Sequence, residues 1–116
     1  MTTVVLWVSD LEASVRFYQA LFNAKTPYIT DGFASVVGAG NEVLLHVVPE
    51  QYRGQAAIGA DNPIKPVFEV ADIDGLYQGV AAVGGSLQSA SQTHGNWRYV
   101  DGTDPDGHVI QVRQRA

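Results

Sequence analysis

The chain has 116 residues, of which 46% are hydrophobic and 16% are charged, which suits one globular domain and excludes general disorder. Its net charge of −5 contains no cluster of Lys and Arg, so we expect no nucleic-acid partner. The absence of cysteine excludes disulfides and thiolate zinc sites, and no apolar run is long enough to span a membrane, so we expect a cytoplasmic protein.

The first half of the chain predicts one strand, one helix and three further strands. "TTVVLWVSD" is β-branched and apolar, which is typical of a buried strand. It leads into "SDLE", which we interpret as a capping box in which Ser9 accepts from a backbone amide and Glu12 reaches back. The next segment has its apolar residues on one helical stripe, and strands follow at residues 28–30, in "FASVVGA" and in "EVLLHVV".

The second half repeats this order. "KPVFEVADIDGLYQGVAAVGG" predicts a strand, an aspartate cap and a helix, and "SLQSAS", "WRYVD" and "HVIQVRQ" predict three more strands. Asp10 and Leu11 correspond to Asp72 and Ile73, 62 residues later in the chain. The two halves are therefore predicted to be two copies of one βαβββ module.

These repeats predict an α+β fold in a single domain, residues 1–116, built from two tandem βαβββ modules. The first module covers about residues 1–49 and the second about 64–116, and an aperiodic Gly- and Ala-containing loop of about 50–63 joins them. Because one helix covers only one face of a module's sheet, we expect a curved mixed sheet that forms a cup with the helices on its outer face.

"VSDLEASVRFYQALF" and "DPDGHVIQV" resemble the vicinal oxygen chelate superfamily, which includes glyoxalase I, ring-cleaving dioxygenases, fosfomycin resistance enzymes and bleomycin resistance proteins. In metal-using members, His and Glu ligands project into the cup from the first and last strands of each module. By their motifs, these places fall on Thr3, His46, Lys65 and Gln111. A metal site needs at least three compatible donors, and the Lys65 ammonium has no lone pair. The resemblance therefore implies a metal-free member without a cofactor, similar to the bleomycin-resistance-like proteins.

Strand alternation suggests which polar and aromatic side chains face the cup, although it does not decide between Trp97 and Arg98. A cup so lined is too polar for a plain core and favours a ligand cavity, without any residue assigned to catalysis. The plainer alternatives are a hydrogen-bonded interior histidine, a solvated Lys–Glu strand pair, tryptophans that only pack, and a solvated arginine. The predicted ligand-binding residues are Trp7, His46, Lys65, Glu69, Trp97, Arg98 and Gln111.

Two functions compete at this stage. The first is metal-independent binding and sequestration of a small organic molecule, such as an aromatic or cationic antibiotic, which the acidity and the tryptophans favour. The alternative is a glyoxalase-like lyase or isomerase for a small carbonyl or carboxylate metabolite. In that enzyme His46 would be the general base and Lys65 or Arg98 would hold a carboxylate, or rearranged ligands would bind a metal. A non-catalytic accessory domain is a third reading. We expect a homodimer, because family members of this length usually pair.

Overall fold

The computed structural model describes residues 3–52 and 63–116 of the chain. Most of the predicted connecting loop, residues 53–62, therefore lies outside the described residues. The described part contains two α-helices and two mixed β-sheets, of four and five strands. The predicted α+β fold is confirmed. No helix in these two ranges is both long and apolar enough to cross a membrane.

The first sheet has the strand order β1-β4-β3-β2 and carries helix α1 on one face. β1 runs parallel to β4, and the other pairs are antiparallel. This is the topology of a single βαβββ module. The bounds are β1 (Thr3–Val8), α1 (Leu11–Phe22), β2 (Tyr28–Thr30), β3 (Phe33–Gly38) and β4 (Asn41–Val47).

The second sheet has the order β5-β9-β8-β6, and β7 also pairs with β8. The segment "SLQSAS", predicted to be one strand, contributes only the two residues of β6, and β7 follows as a separate strand along the same neighbour. The parallel first pair, β5 with β9, repeats the arrangement of the first module. The bounds are β5 (Val67–Glu69), α2 (Tyr77–Ala82), β6 (Ser86–Leu87), β7 (Gln92–His94), β8 (Trp97–Thr103) and β9 (Val109–Arg115).

The beginning of α1 differs from the predicted capping box, which is wrong. Asp10 is the N-cap, and its Oδ1 accepts a hydrogen bond from the backbone N–H of Ala13 over 3.1 Å. Ser9 lies one residue too early to cap the helix, and its hydroxyl and backbone N–H donate instead to the carboxylate of Asp106 in the second module. The motif therefore both starts a helix and joins the two modules.

The helix of the second module is shorter than predicted. A 3₁₀ turn, Asp74–Leu76, precedes α2, and neither element has a side-chain cap, so the predicted aspartate cap is wrong. Gly75 and Gly79 weaken the intrinsic helix propensity of this segment. Burial of Ile73 and Val80 holds it against the sheet instead.

A single apolar core lies under both sheets. Helix α1 spans it, and the rings of Tyr18 and Phe22 lie 5.9 Å and 5.1 Å from the ring of Phe68 in β5. At the junction of the sheets, the side-chain amide of Asn41 donates to the carbonyl of Glu69 over 2.7 Å and accepts from its N–H over 3.2 Å. The helices and the core therefore occupy one side of both sheets and leave the opposite sheet faces open.

Candidate functional site

The open face of the first sheet carries a row of rings that runs from β1 to β2. Trp7 and His46 are paired across β1 and β4 with ring centroids 5.2 Å apart, and His46 lies 4.8 Å from Phe33 of β3. Tyr28 of β2 follows, 6.4 Å from Phe33. Trp7 is 49% exposed and Tyr28 is 63% exposed. We call these four residues the aromatic face. Exposed rings in such a row offer flat surfaces on which a planar molecule can stack.

A carboxylate lies on the same sheet face as these rings. Glu42 is paired with Thr3 and accepts a hydrogen bond from the Thr3 hydroxyl over 2.6 Å. The Ser35 hydroxyl lies 3.4 Å from the other carboxylate oxygen. Within residues 3–52 and 63–116, no Lys, Arg or His forms an ion pair with Glu42. Its negative charge therefore remains uncompensated on the same sheet face as the aromatic face, four residues along β4 from His46.

The open face of the second sheet carries a charged network around Asp101. The Lys65 ammonium lies 3.2 Å and 3.3 Å from the two carboxylate oxygens of Asp101. The Gln111 side-chain amide donates to the same carboxylate over 2.9 Å. A glutamine suits this position, because a glutamate would bring a second negative charge against Asp101. Glu69 lies on this face too and pairs with Arg113 rather than with Lys65, at 3.3 Å.

Trp97 also faces this side, but its ring is covered by two arginines of the chain itself. The guanidinium carbons of Arg113 and Arg115 lie 3.9 Å and 4.5 Å from the ring centroid. Each contact is a cation–π interaction. The indole of Trp97 is therefore already occupied by positive charge, whereas that of Trp7 is free to stack on a cationic ring.

Arg98 does not lie with the other predicted site residues. Neighbouring residues of a strand point to opposite faces, so Trp97 faces the open side and Arg98 the helix side. There its guanidinium donates to both oxygens of Asp74, over 3.1 Å and 2.8 Å. This hydrogen bonding lowers the pKa of Asp74. The arginine thus fixes the turn before α2 and does not line the open face.

Residues 1–112 match the family profile described as the Glyoxalase/Bleomycin resistance protein/Dioxygenase superfamily. The chain belongs to this superfamily. A solved glyoxalase/bleomycin resistance protein from Albidiferax ferrireducens T118 is 20% identical, with a TM-score of 0.76 over 100% of this chain and 98% of that chain. The fosfomycin resistance protein FosX from Mesorhizobium loti is 17% identical, with a TM-score of 0.69 over 100% and 92%. Hypothetical protein SA1046 from S. aureus is 21% identical, with a TM-score of 0.72 over 98% and 92%.

These identities relate the structures by fold alone. No curated protein matched the chain.

The residues at the superfamily's metal-ligand places do not fit a divalent ion here. The Thr3 hydroxyl donates to Glu42, and the Lys65 ammonium and the Gln111 side-chain amide both donate to Asp101. The ammonium has no lone pair, and the oxygens of Thr3 and Gln111 are neutral, weak donors, so His46 is the one strong ligand among the four. In the part of the chain that the structure describes, no group of three or more His, Asp or Glu side chains could hold a metal ion.

The superfamily's "DPDG" turn forms a buried network that the sequence did not reveal. Asp104 accepts hydrogen bonds from the Tyr18 hydroxyl over 2.8 Å and from the His108 backbone N–H over 2.9 Å, and its carboxylate lies 2.7 Å from His108 Nδ1. Burial, followed by the charge of Asp104, raises the pKa of Tyr18. The network fastens the turn to α1, so in this chain the motif holds the two modules together.

Other site residues were missed because their strand register could not be read from the sequence. Phe33 and Tyr28 join the aromatic face only through the pairings of β3 with β4 and of β2 with β3. Asp101 and Arg113 join the charged network through the pairing of β8 with β9. Alternation within one strand shows which side chains share a face, but not which neighbours they meet. Finding these residues would have required knowing which residues pair across each hairpin.

Proposed function

We propose that this superfamily member binds a small, planar, positively charged organic compound on its aromatic face, without a metal ion. The observation that carries the proposal is the row of rings, with Trp7 and Tyr28 exposed, on the same sheet face as the uncompensated carboxylate of Glu42. Stacking on an exposed indole and a cation–π contact each contribute about 1 kcal/mol. Binding of this kind suits sequestration of an aromatic or cationic compound such as an antibiotic.

The span of the face indicates the size of the ligand. Glu42 and His46 are four residues apart along β4, which corresponds to roughly 13 Å. A compound that stacks on Trp7 and His46 and also reaches Glu42 is therefore about the size of a drug molecule. The charged network of the second sheet lies beyond the sheet junction, and its acidic groups Asp101 and Glu69 are paired with cations of the chain.

Part of this open surface is proposed to be covered by a second copy of the chain. Val5, Val37 and Val67 are exposed although they are apolar, which is typical of a surface that meets a partner. In a twofold dimer, the aromatic face of one copy would lie across a groove from the arginine-bearing face of the other, and the ligand would occupy this groove. Val5→Lys is expected to give a monomer in sedimentation equilibrium, while the unsubstituted chain gives twice the monomer mass. A monomeric unsubstituted chain contradicts the dimer.

The lyase or isomerase alternative receives less support from the geometry. Its carboxylate holders were Lys65 and Arg98, and these side chains are paired with Asp101 and Asp74. His46 contacts rings on both sides instead of a cationic side chain. We therefore favour binding without turnover. Consumption of the bound compound in a stoichiometric assay would support the lyase or isomerase alternative instead.

The ligand proposal can be tested with proflavine, a planar tricyclic cation, and with acridone as a neutral planar control. The chain has two tryptophans, so Trp97→Phe leaves Trp7 as the only indole. In that variant we expect saturable quenching of tryptophan fluorescence by proflavine. Trp7→Phe is expected to weaken proflavine binding by about tenfold in calorimetry, which corresponds to the loss of roughly 1.4 kcal/mol.

The charge component is tested separately. Glu42→Gln is expected to weaken proflavine binding by about threefold and to leave acridone binding unchanged. Glu12→Gln is the matched control, because it removes an equal charge from an exposed position on α1. Proflavine binding that is equally tight in the Trp7 and Trp97 variants, or that does not saturate below millimolar concentration, would overturn the proposal. Stoichiometric zinc, nickel, manganese or iron in chain purified without chelator would overturn its metal independence.

Two further parts of the proposal concern the cell. Sequestration predicts that production of the chain in bacteria raises their tolerance to the compound that it binds, and that Trp7→Phe removes this effect. The cytoplasmic location stays a prediction, which cell fractionation can check.

A further inference from the structure

A cleft lies on the helix side of the molecule, away from the aromatic face, and continues into a recess that Glu69 and Arg115 of the second sheet's open face border. It has a volume of about 510 Å³ and lies between the C-terminal end of α1, residues 20–23, and the segment that leaves β5, residues 70–72. A recess of about 320 Å³ adjoins it and shares Ala39, Val70 and Ala71 with it. These volumes are in the range of pockets that hold small organic molecules.

One end of this cleft is negative. Asp72 lines it and forms no ion pair with any residue in the described ranges, although its charge interacts with that of Arg98, which pairs with Asp74. Helix α1 also ends here, with Asn23 as its C-cap and no basic residue in its last turn. The C-terminal end of a helix carries partial negative charge, so this end of the cleft favours a cationic group.

The other end is positive. Arg115 borders the adjoining recess together with Glu69. The carboxylate of Glu69 pairs with Arg113, and no described carboxylate pairs with Arg115. Its guanidinium rests on the ring of Trp97, which holds it in place without neutralising it. This end therefore favours an anionic group such as a carboxylate.

Between the two ends the wall is apolar. Leu21, Leu76, Val70 and Ala71 line it, and Ala39 contributes its methyl group from the turn between β3 and β4. Ala39 has a φ of 53°, a left-handed conformation that glycine adopts more easily. The wall thus separates a negative from a positive end by a short apolar stretch.

We propose that this cleft binds a small zwitterionic molecule whose ammonium and carboxylate are separated by an apolar chain. The ammonium lies against Asp72 and the end of α1, the carboxylate lies against Arg115, and the chain lies over Ala71. This site is separate from the aromatic face and does not depend on the ligand proposed for that face.

The test uses 6-aminohexanoate as the zwitterion, with hexanoate and hexylamine as probes that each lack one charge. In ¹H–¹⁵N NMR titrations of the full chain, 6-aminohexanoate is expected to shift the amides of Ala20, Ala39 and Ala71. Its affinity is expected to exceed that of each control probe by roughly two- to fivefold, because pairs between exposed charges are weak. Equal affinities for the three probes, or no saturable shift at these amides, would overturn the site.

Variants separate the two ends of the cleft. Asp72→Asn is expected to reduce the affinity for 6-aminohexanoate to that for hexanoate, and Arg115→Gln to that for hexylamine. Ala71→Phe fills the shared part of the cleft from an exposed position and is expected to remove binding of all three probes, while proflavine still quenches Trp7. Glu12→Gln controls for the change in net charge. Zwitterion binding that survives Ala71→Phe, or that falls equally with Glu12→Gln, would contradict the assignment.

Discussion

Tyr18 donates a hydrogen bond to Asp104 over 2.8 Å, from the helix of the first module to the turn before the last strand of the second. The phenol and the carboxylate are both buried. The backbone N–H of Asp106 donates to the same carboxylate over 3.0 Å, as does that of His108. Asp104 is thus satisfied by donors from both modules, and the two signature motifs of the sequence meet at this side chain.

Tyr18→Phe removes one donor to a buried carboxylate without removing the ring. Hydrogen bonds to charged groups are stronger than neutral ones, so we expect the free energy of unfolding to fall by about 2 kcal/mol. Urea denaturation followed by circular dichroism measures this change. Tyr77→Phe is the matched control, because the Tyr77 hydroxyl donates to a neutral carbonyl, that of Gln88, at an exposed site. Equal losses in the two variants would contradict a special role for the Tyr18–Asp104 bond.

His108 is expected to make the stability of the chain depend on pH. Burial lowers the pKa of His108, but its hydrogen bond to Asp104, the charges of Asp104 and Asp106 and the backbone of Trp7 outweigh burial and raise that pKa above its ordinary value. A pKa raised in the folded state stabilises the fold below the unfolded pKa, about 6.5 for histidine. That stabilisation is lost as the pH rises through the folded pKa.

The measurement is the free energy of unfolding between about pH 6 and pH 9, for the unsubstituted chain and for His108→Gln. The difference between the two is expected to shrink as the pH rises, because the variant lacks the titrating group. His94→Gln is the control, since His94 is exposed on β7 and forms no ion pair with a described residue. A difference that stays constant or grows with pH would show that the charge of His108 does not stabilise the fold.

The fold could be predicted from the sequence because its signals are local and are repeated. The apolar strand "TTVVLWV", the amphipathic stripe of α1 and the second appearance of the same order 62 residues later predict the modules without any tertiary information. Errors arose where two residues compete for one role. Ser9 and Asp10 are both residue types that cap helices. In the structure Asp10 caps α1, and the Ser9 hydroxyl donates instead to Asp106 of the other module.

The site could be predicted only in part. The side of a strand that a side chain faces follows from the local sequence, but the residues that it contacts on other strands do not. The alternation of β1 correctly separates the exposed Val5 and Trp7 from the buried Val8. It could not show that Lys65 pairs with Asp101 and not with Glu69, since Asp101 reaches Lys65 through the pairing of β8, β9 and β5. The orientation of Arg98 likewise depends on where the strand β8 begins, which propensity does not determine.

Arg98 is expected to matter for the second module and not for the ligand. Arg98→Gln breaks the two hydrogen bonds to Asp74, so the turn before α2 should exchange its amide hydrogens faster. Proflavine affinity is expected to stay within about twofold of that of the unsubstituted chain, because the guanidinium lies on the opposite side of the sheet. Hydrogen exchange and the quenching titration give the two readouts. A loss of proflavine affinity as large as that caused by Trp7→Phe would show that Arg98 contributes to the binding site.

Gln111→Glu tests why an amide, and not a carboxylate, lies beside Asp101 in the charged network of the second sheet. The amide nitrogen of Gln111 lies 2.9 Å from a carboxylate oxygen of Asp101 and donates a hydrogen bond to it. The introduced carboxylate would lie against Asp101 without this hydrogen bond. We expect a loss of about 1 kcal/mol in the free energy of unfolding at pH 7. Repulsion should raise the pKa of the introduced carboxyl. The loss should therefore shrink as the pH falls and this carboxyl takes up a proton.

Gln78→Glu is the control, because Gln78 is exposed on α2 and is not among the residues that line the small cavity around Asp101 and Gln111. With Lys65 already at the carboxylate of Asp101, the variant should bind zinc or manganese no more tightly than the unsubstituted chain in calorimetry. If the Gln111→Glu variant binds metal stoichiometrically and is stabilised by it at pH 7, the metal ion displaces the Lys65 ammonium from Asp101. Such a result would show that the amide of Gln111, and not the ammonium of Lys65, prevents metal binding at this sheet.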